Sequence, residues 1–108
     1  MVDESIVNHV RAYLQSIQQH GVPVRFGVIF GSQAAGQPDQ WSDIDVVVVS
    51  PQFDNQRLRQ DIDLLWRLAA RTDSRIEPIA CGERQWREDD SSAIIEIARR
   101  EGQSVVLA

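Results

Sequence analysis

The sequence predicts a mixed α/β (α+β) fold: a small mixed β-sheet with helices packed mainly on one face. Short apolar runs rich in β-branched residues alternate with amphipathic stretches of helical period. The link between the second and third runs is long enough for the crossover that parallel strands need, whereas the first link is loop-like. A length of 108 residues, with 43% hydrophobic and 25% charged residues, fits one globular domain spanning residues 1–108.

The N-terminal half predicts one helix followed by two strands. Apolar residues recur at helical spacing over residues 4–19, and a glycine and a proline end that helix shortly afterwards. The first strand is expected at about residues 24–30. A short helical turn over residues 33–35 and a polar loop then lead to a second strand, residues 43–49.

The next predicted element is a helix that begins after Asn55, a residue favoured at helix N-caps, and extends to about Ala70. The helical period divides it into an apolar stripe and a polar face. The residues expected in the buried stripe are Leu58, Ile62, Leu65, Trp66 and Ala69. The residues expected to face water are Arg57, Arg59, Asp61 and Arg67.

The remainder of the chain predicts one more strand and one more helix. The strand, residues 75–80, contains Pro78, which places it at a sheet edge or at an irregularity. A polar turn over residues 82–90 leads to the last helix, about residues 92–101. Its inner side is expected to hold Ile94, Ile95, Ile97 and Ala98. Residues 104–107 fit either a fourth short strand or a tail that faces a partner.

Two aspartates open the second strand. Asp43 and Asp45 are two residues apart, so their side chains leave on the same face, and Ile44 points into the core. Adjacent carboxylates repel each other and are costly to desolvate unless a cation lies between them. Mg²⁺ fits because it takes oxygen ligands and keeps positions open for substrate phosphates. An isolated Asp-x-Asp pair is also common without a metal.

Gly31 and Ser32 directly follow the first strand. A glycine at a strand end lets the backbone approach a ligand closely, and free N–H groups at the start of a helix can bind an anion. The Ser32 hydroxyl adds one more donor. Together with the two aspartates, this turn predicts a site for a nucleoside triphosphate and its magnesium ions, although a glycine–serine pair after a strand can also be a simple turn.

Glu77 is the only acidic residue in the predicted third strand. Phosphoryl transfer with two metal ions uses carboxylates to hold the cations, and a further carboxylate near the acceptor can activate its hydroxyl. Glu77 can therefore serve as a third metal ligand or as a general base. The structural alternative is an exposed edge residue paired with Arg75 or Arg99.

A family resemblance now rests on a specific pattern: Gly31-Ser32, a ten-residue spacer, and Asp43-Ile44-Asp45-Val46. This pattern resembles the signature of the polymerase-beta-like nucleotidyltransferase superfamily. The short chain resembles its minimal (MNT) members, often paired with a HEPN toxin, over about residues 5–105. The resemblance implies the nucleotidyltransferase fold. It also implies that Asp43, Asp45 and Glu77 are the catalytic residues and hold two Mg²⁺ ions. Gly31 and Ser32 would bind the phosphates of ATP.

The same resemblance implies a function and a partner. The expected reaction transfers AMP from ATP onto a hydroxyl, with tyrosine favoured, of a cognate HEPN toxin, so that the chain acts as the antitoxin. Minimal members often carry basic residues after the Gly-Ser pair, but here residues 33–35 are Gln, Ala and Ala. The alternatives are a non-catalytic antitoxin that retains the fold and a small-molecule adenylyltransferase.

Composition limits the other partners. The net charge of −5 and pI near 4.8 argue against direct nucleic-acid binding through a broad basic surface. A single cysteine, the lack of an apolar leader and the lack of a membrane-length apolar segment predict a cytoplasmic protein with no membrane partner. Trp86, in the polar turn, is a candidate interface residue. Trp41 is expected to pack its loop, to stack on a base or to dock a partner. Self-association is left open.

Overall fold

The computed structural model describes residues 2–35 and 42–108, so Trp41 and most of the polar loop lie outside the described residues. The helices are α1 (Glu4–Gln19), α2 (Ser32–Ala35), α3 (Gln52–Asn55), α4 (Arg59–Thr72), α5 (Glu83–Glu88) and α6 (Ala93–Glu101). The strands are β1 (Phe26–Phe30), β2 (Ile44–Ser50), β3 (Ile76–Gly82) and β4 (Gln103–Val105). None of these helices is long and apolar enough to cross a lipid bilayer.

The four strands form one mixed sheet in the order β3-β2-β1-β4. β2 and β3 are parallel and are joined through α3 and α4, while β1 is antiparallel to both β2 and β4. The predicted mixed sheet is therefore confirmed. β3, which carries Pro78, lies at a sheet edge, the first of the two positions considered for it. Of the two alternatives for residues 104–107, the structure contains the strand, β4, whose ladder pairs Val105 with Gly27.

The larger core lies on the face of the sheet that α1 and α4 cover. It contains Ile44, Val46 and Val48 of β2, and it is closed by residues from both helices. The Tyr13 hydroxyl donates to the Leu65 carbonyl oxygen at 2.8 Å, which satisfies a buried polar group and ties α1 to α4. These long helices give the predicted arrangement, with helices mainly on one face.

The opposite face of the sheet carries a smaller core covered by α6. This smaller cluster consists of Val28, Phe30, Val47, Val49, Cys81, Ile95 and Ala98. Trp86 of α5 packs beside it, edge-to-face against Phe26 with ring centroids 5.8 Å apart, and the Arg99 guanidinium lies 5.6 Å from the Trp86 ring. Trp86 is therefore half-buried, with part of its ring packed within this fold, and its role at an interface stays a prediction.

The predicted helix after Asn55 begins later than expected. Asn55 ends α3, and α4 begins at Arg59 without a side-chain cap. The adjacent acidic residue, Asp54, instead accepts the backbone N–H groups of Arg84 and Gln85 at 2.8 and 3.2 Å and so caps α5. This cap, supplied from 30 residues away, turns part of the predicted polar turn into a helix.

The buried face of α4 is also rotated from the predicted stripe. Leu58 and Trp66 are 38% and 48% exposed, whereas Asp61, which was expected to face water, is only 8% exposed. Asp61 is accommodated because Gln52 donates to its carboxylate at 3.1 Å and because an acidic residue is favoured in the first turn of a helix. On α6, Ile95 and Ala98 are buried as expected, but Ile94 and Ile97 are exposed.

Candidate functional site

The strand register brings the predicted carboxylates to one face of the sheet. In the parallel ladder, Asp45 is the partner of Glu77, so the two side chains project on the same side. Asp43 immediately precedes β2 and shares this face by alternation, while Ile44 is fully buried in the larger core. Asp43, Asp45 and Glu77 therefore converge on the face of the smaller cluster, at the end of the sheet where β2 and β3 begin.

The charges of these three groups act on one another. Desolvation raises the pKa of Asp45, the charge of Asp43 raises it further, and a hydrogen bond with Glu77 partly offsets the rise. The pKa of Glu77 is raised by desolvation and then by the charges of Asp43 and Asp45. Because neighbouring negative charges contribute to both shifts, the carboxylates lie close enough to repel one another, and a cation between them would be favourable.

The donor set fits a hard divalent cation, because all three groups offer carboxylate oxygens. Within residues 2–35 and 42–108, however, no group of three or more His, Cys, Asp or Glu side chains is arranged as a preformed metal cage. Mg²⁺ does not require one, since it commonly binds through one or two carboxylates and completes its shell with water and phosphate oxygens. The chemistry of the site is compatible with magnesium held jointly by protein and nucleotide.

Gly31 lies against this cluster, and glycine is favoured there for two reasons. Its φ angle is +78°, in the left-handed region that other residues rarely adopt. In addition, a Cβ atom at this position would collide with the Oδ2 atom of Asp45. The turn that was predicted to bind phosphate thus abuts one of the predicted metal ligands. The exposed residue Ser32 begins α2 directly after it.

Gln33 is a residue of this region that the sequence did not single out as functional. Its side chain is only 3% exposed, and its amide nitrogen donates to the carbonyl oxygens of Ser42 and Asp43 at 3.3 and 3.5 Å. The sequence showed only that a cation is missing at this position. The hydrogen bonds depend on the return of the chain nine residues later, which no local pattern reveals.

Asp73, a carboxylate outside this cluster, lies just before β3. Arg75 donates to it through Nε at 3.0 Å and through Nη2 at 2.7 Å, and the His9 ring contacts it at 3.0 Å. The hydrogen bonds from Arg75 hold the pKa of Asp73 well below its usual range. Arg99, the other partner considered for Glu77, donates to the Asp89 carbonyl oxygen at 2.8 Å.

Comparisons with known proteins bear on the family and the fold of the chain. A family model described as a nucleotidyltransferase domain matches residues 10–101. Among solved structures, the fold is similar to that of a candidate nucleotidyltransferase from Sulfolobus solfataricus, with a TM-score of 0.60 and 19% identity over 78% of this chain and 74% of that one. It is also similar to a chain in a toxin–antitoxin structure with AMP-PNP, with a TM-score of 0.59 and 18% identity over 87% and 70% of the two chains. No curated protein matches the sequence significantly.

Proposed function

The chain belongs to the nucleotidyltransferase domain family, and from that premise we propose that it transfers AMP from ATP onto a hydroxyl of a partner protein. The observation that carries the proposal is the convergence of Asp43, Asp45 and Glu77 beside the Gly31 turn. Carboxylates that hold cations next to a close-approach backbone turn are what metal-assisted phosphoryl transfer requires.

Each residue of the site has a defined task in this proposal. Asp43 and Asp45 would hold two Mg²⁺ ions, with Glu77 as a third ligand or as the general base. Bound there, the ions would neutralise phosphate charge and stabilise the entering and leaving oxygens. Gly31 and Ser32 would hold the β- and γ-phosphates through a backbone N–H group and the serine hydroxyl.

The reaction balances with these groups alone. The acceptor oxygen forms a bond to the α-phosphorus, and the bond from that phosphorus to the bridging oxygen breaks. Pyrophosphate leaves with the bridging oxygen, and the proton of the acceptor hydroxyl passes to the carboxylate of Glu77. The position of Glu77 supports this last step, because it lies beside Asp45 in the parallel ladder, within the proposed site.

The proposed partner is a toxin, with the chain as its antitoxin. One of the similar folds occurs in a toxin–antitoxin structure with AMP-PNP, and the sequence resembles minimal nucleotidyltransferases that accompany HEPN toxins. The proposed acceptor is therefore a hydroxyl of the cognate HEPN toxin, with tyrosine favoured.

Two measurements test the proposal, one of them independent of the partner. Calorimetric titration with AMP-PNP is expected to show binding in Mg²⁺ and none in EDTA, and Asp43→Asn with Asp45→Asn should abolish it. With ATP labelled at the α-phosphate, label should pass to the purified partner toxin and not in the double variant. Asp63→Asn, on the exposed face of α4, is the matched control. Equal AMP-PNP binding by the wild type and the double variant would overturn the proposal.

A non-catalytic binding module is the second candidate. The observations that favour it are the absence of a cationic side chain at residues 33–35 and the lack of a preformed metal cage among the described residues. Such a module would form the same complex with the toxin in EDTA as in Mg²⁺, and no label would be transferred. Transfer of label that depends on Asp43 and Asp45 excludes this alternative.

A further inference from the structure

A buried amide joins the two halves of the proposed site. Gln33 is one of three polar or charged residues that are buried in the described part of the chain, although its helix has only one turn. Burying an amide is unfavourable unless its hydrogen-bonding groups are satisfied. The side-chain nitrogen of Gln33 meets this requirement by donating to two backbone carbonyls, those of Ser42 and Asp43.

These carbonyls belong to the residues that lead into β2. The ladder with β1 pairs Phe30 with Asp45, and the ladder with β3 begins at Ile44, so Asp43 precedes both sets of strand pairs. The nearest strand-type hydrogen bond is donated by Ile44 to the Arg75 carbonyl at 2.8 Å. The backbone of Asp43 therefore depends on contacts outside the ladders, and the Gln33 amide is one of them.

On its other side, Gln33 is tied to the glycine turn. α2 begins at Ser32, and the N–H group of Ala35 donates to the Gly31 carbonyl at 3.0 Å, which closes the turn around Gln33. The Gln33 side chain therefore links the turn to the backbone of Asp43, and its own conformational freedom is small. An exposed side chain would make no such link, because it would exchange its partners with water.

We infer that Gln33 is a positioning residue: its buried amide holds the backbone of Asp43 at a fixed separation from Gly31 and Ser32. It thereby sets the affinity of the site for a magnesium-bound nucleoside triphosphate. This inference rests on the proposed function. It also gives the uncharged residue after the Gly-Ser pair a role, because a side chain as deeply buried as that of Gln33 is better uncharged than cationic.

Three substitutions test this role. Gln33→Met keeps the length of the side chain and removes the donor, Gln33→Asn keeps the amide but shortens its reach, and Gln33→Glu faces the two carbonyls with oxygens only. Each is expected to weaken AMP-PNP binding at limiting Mg²⁺ by about tenfold or more, as loss of an outer partner of a metal ligand commonly does. Gln60→Met, at an exposed position of α4, is the matched control and should bind like the wild type.

Magnesium separates positioning from general destabilisation. Affinity is measured calorimetrically at a temperature where circular dichroism shows each variant folded. Raising the Mg²⁺ concentration is expected to restore AMP-PNP binding to Gln33→Met, because a displaced ligand lowers metal affinity without removing the site. Wild-type affinity in Gln33→Met at limiting Mg²⁺, or a loss that added Mg²⁺ does not reverse, would overturn the inference. Loss of the folded state in all three variants would also overturn it, since Gln33 would then be a residue of the core only.

The same titrations distinguish a failure of this inference from a failure of the proposed function. If Asp43→Asn with Asp45→Asn retains full AMP-PNP affinity, the proposed function fails. If that double variant loses binding while Gln33→Met keeps it, only the role of Gln33 fails.

Discussion

Two carboxylates at the start of β3 have opposite environments although they are only four residues apart. Asp73 accepts hydrogen bonds from Arg75 and His9, and these lower its pKa. Glu77 faces Asp43 and Asp45, and burial together with their negative charges raises its pKa. The first carboxylate is stabilised as an anion by the fold, whereas the second is placed where its charge is unfavourable.

This difference separates a structural acid from a candidate functional one. Asp73 connects α1 to the start of β3 through its contacts with His9 and Arg75, so these contacts stabilise the fold. The cluster around Glu77 does the reverse, because like charges brought together oppose folding until something cationic binds. Departures from good local electrostatics are expected at functional sites. The contrast therefore supports assigning the carboxylate cluster, and not Asp73, to ligand binding.

The largest expected effect comes from removing the structural acid. Asp73→Asn should lower the free energy of unfolding by roughly 2–3 kcal/mol, since it weakens several charge-assisted hydrogen bonds around a side chain that is only 9% exposed. Urea denaturation followed by circular dichroism measures this. Asp63→Asn is the control, because Asp63 forms only an exposed pair with Arg59 at 3.9 Å and should cost less than about 0.5 kcal/mol.

The pH dependence of Asp73 has a defined sign. Its pKa is lower in the folded than in the unfolded state, so its stabilisation is complete above the unfolded pKa of about 4 and is lost as the pH falls below that value. The difference in stability between the wild type and Asp73→Asn should therefore shrink in acid. A difference that is constant from pH 7 to pH 3 would contradict the charge-based role of Asp73.

The next largest effect is expected at Gly31, which lies against Asp45 in the carboxylate cluster. Gly31 and Gly21 both have positive φ, but only Gly31 lies against a carboxylate, since Gly21 has open space around it. Gly21→Ala should cost about 1 kcal/mol from backbone strain alone. Gly31→Ala should cost about 1 kcal/mol more, because its Cβ displaces the Asp45 carboxylate, and it should also weaken Mg²⁺-dependent AMP-PNP binding. Equal costs for the two variants would show that Asp45 moves aside freely.

The fold and the site were predictable to different depths from the sequence. The lengths of the connections predicted the mixed sheet, and the period-two pattern around Ile44 predicted the shared face of Asp43 and Asp45. The proline in β3 indicated a sheet edge or an irregularity, and β3 is an edge strand. The shared face depends on local alternation, which the backbone enforces. The position of Glu77 directly beside Asp45 depends on the register between β2 and β3. The crossover connection indicated that these strands are parallel but did not determine their register.

The failures have a common physical cause, which is contact between distant parts of the chain. Asp54 caps α5 across 30 residues, and Gln52 stabilises the buried Asp61, so neither the helix in the predicted turn nor the rotated face of α4 has a local signal. The helical period places Trp66 in the buried stripe, yet its side chain is 48% exposed because its side of α4 has no covering element in the described fold.

The smallest expected effect is a gain in stability, and it comes from a substitution in the carboxylate cluster of Asp43, Asp45 and Glu77. The pKa of Glu77 is higher in the folded than in the unfolded state, so its ionisation opposes folding, and this penalty is fully present at pH values above the folded pKa. Glu77→Gln should therefore stabilise the metal-free protein at pH 7, by about 0.5 kcal/mol or less, because the side chain is partly solvated. Below pH 4, where both states are protonated, the advantage should vanish.

With Mg²⁺ and AMP-PNP bound, the wild type should instead be more stable than Glu77→Gln. The wild type gains stability from a ligand that binds only the folded state, and Glu77→Gln gains less because one proposed metal ligand is lost. Thermal unfolding at pH 7, with EDTA and then with Mg²⁺ and AMP-PNP, should therefore show Glu77→Gln above the wild type in the first condition and below it in the second. If the variant is less stable in both conditions, Glu77 is a structural acid of the same kind as Asp73, and the contrast between the two carboxylates no longer separates fold from function.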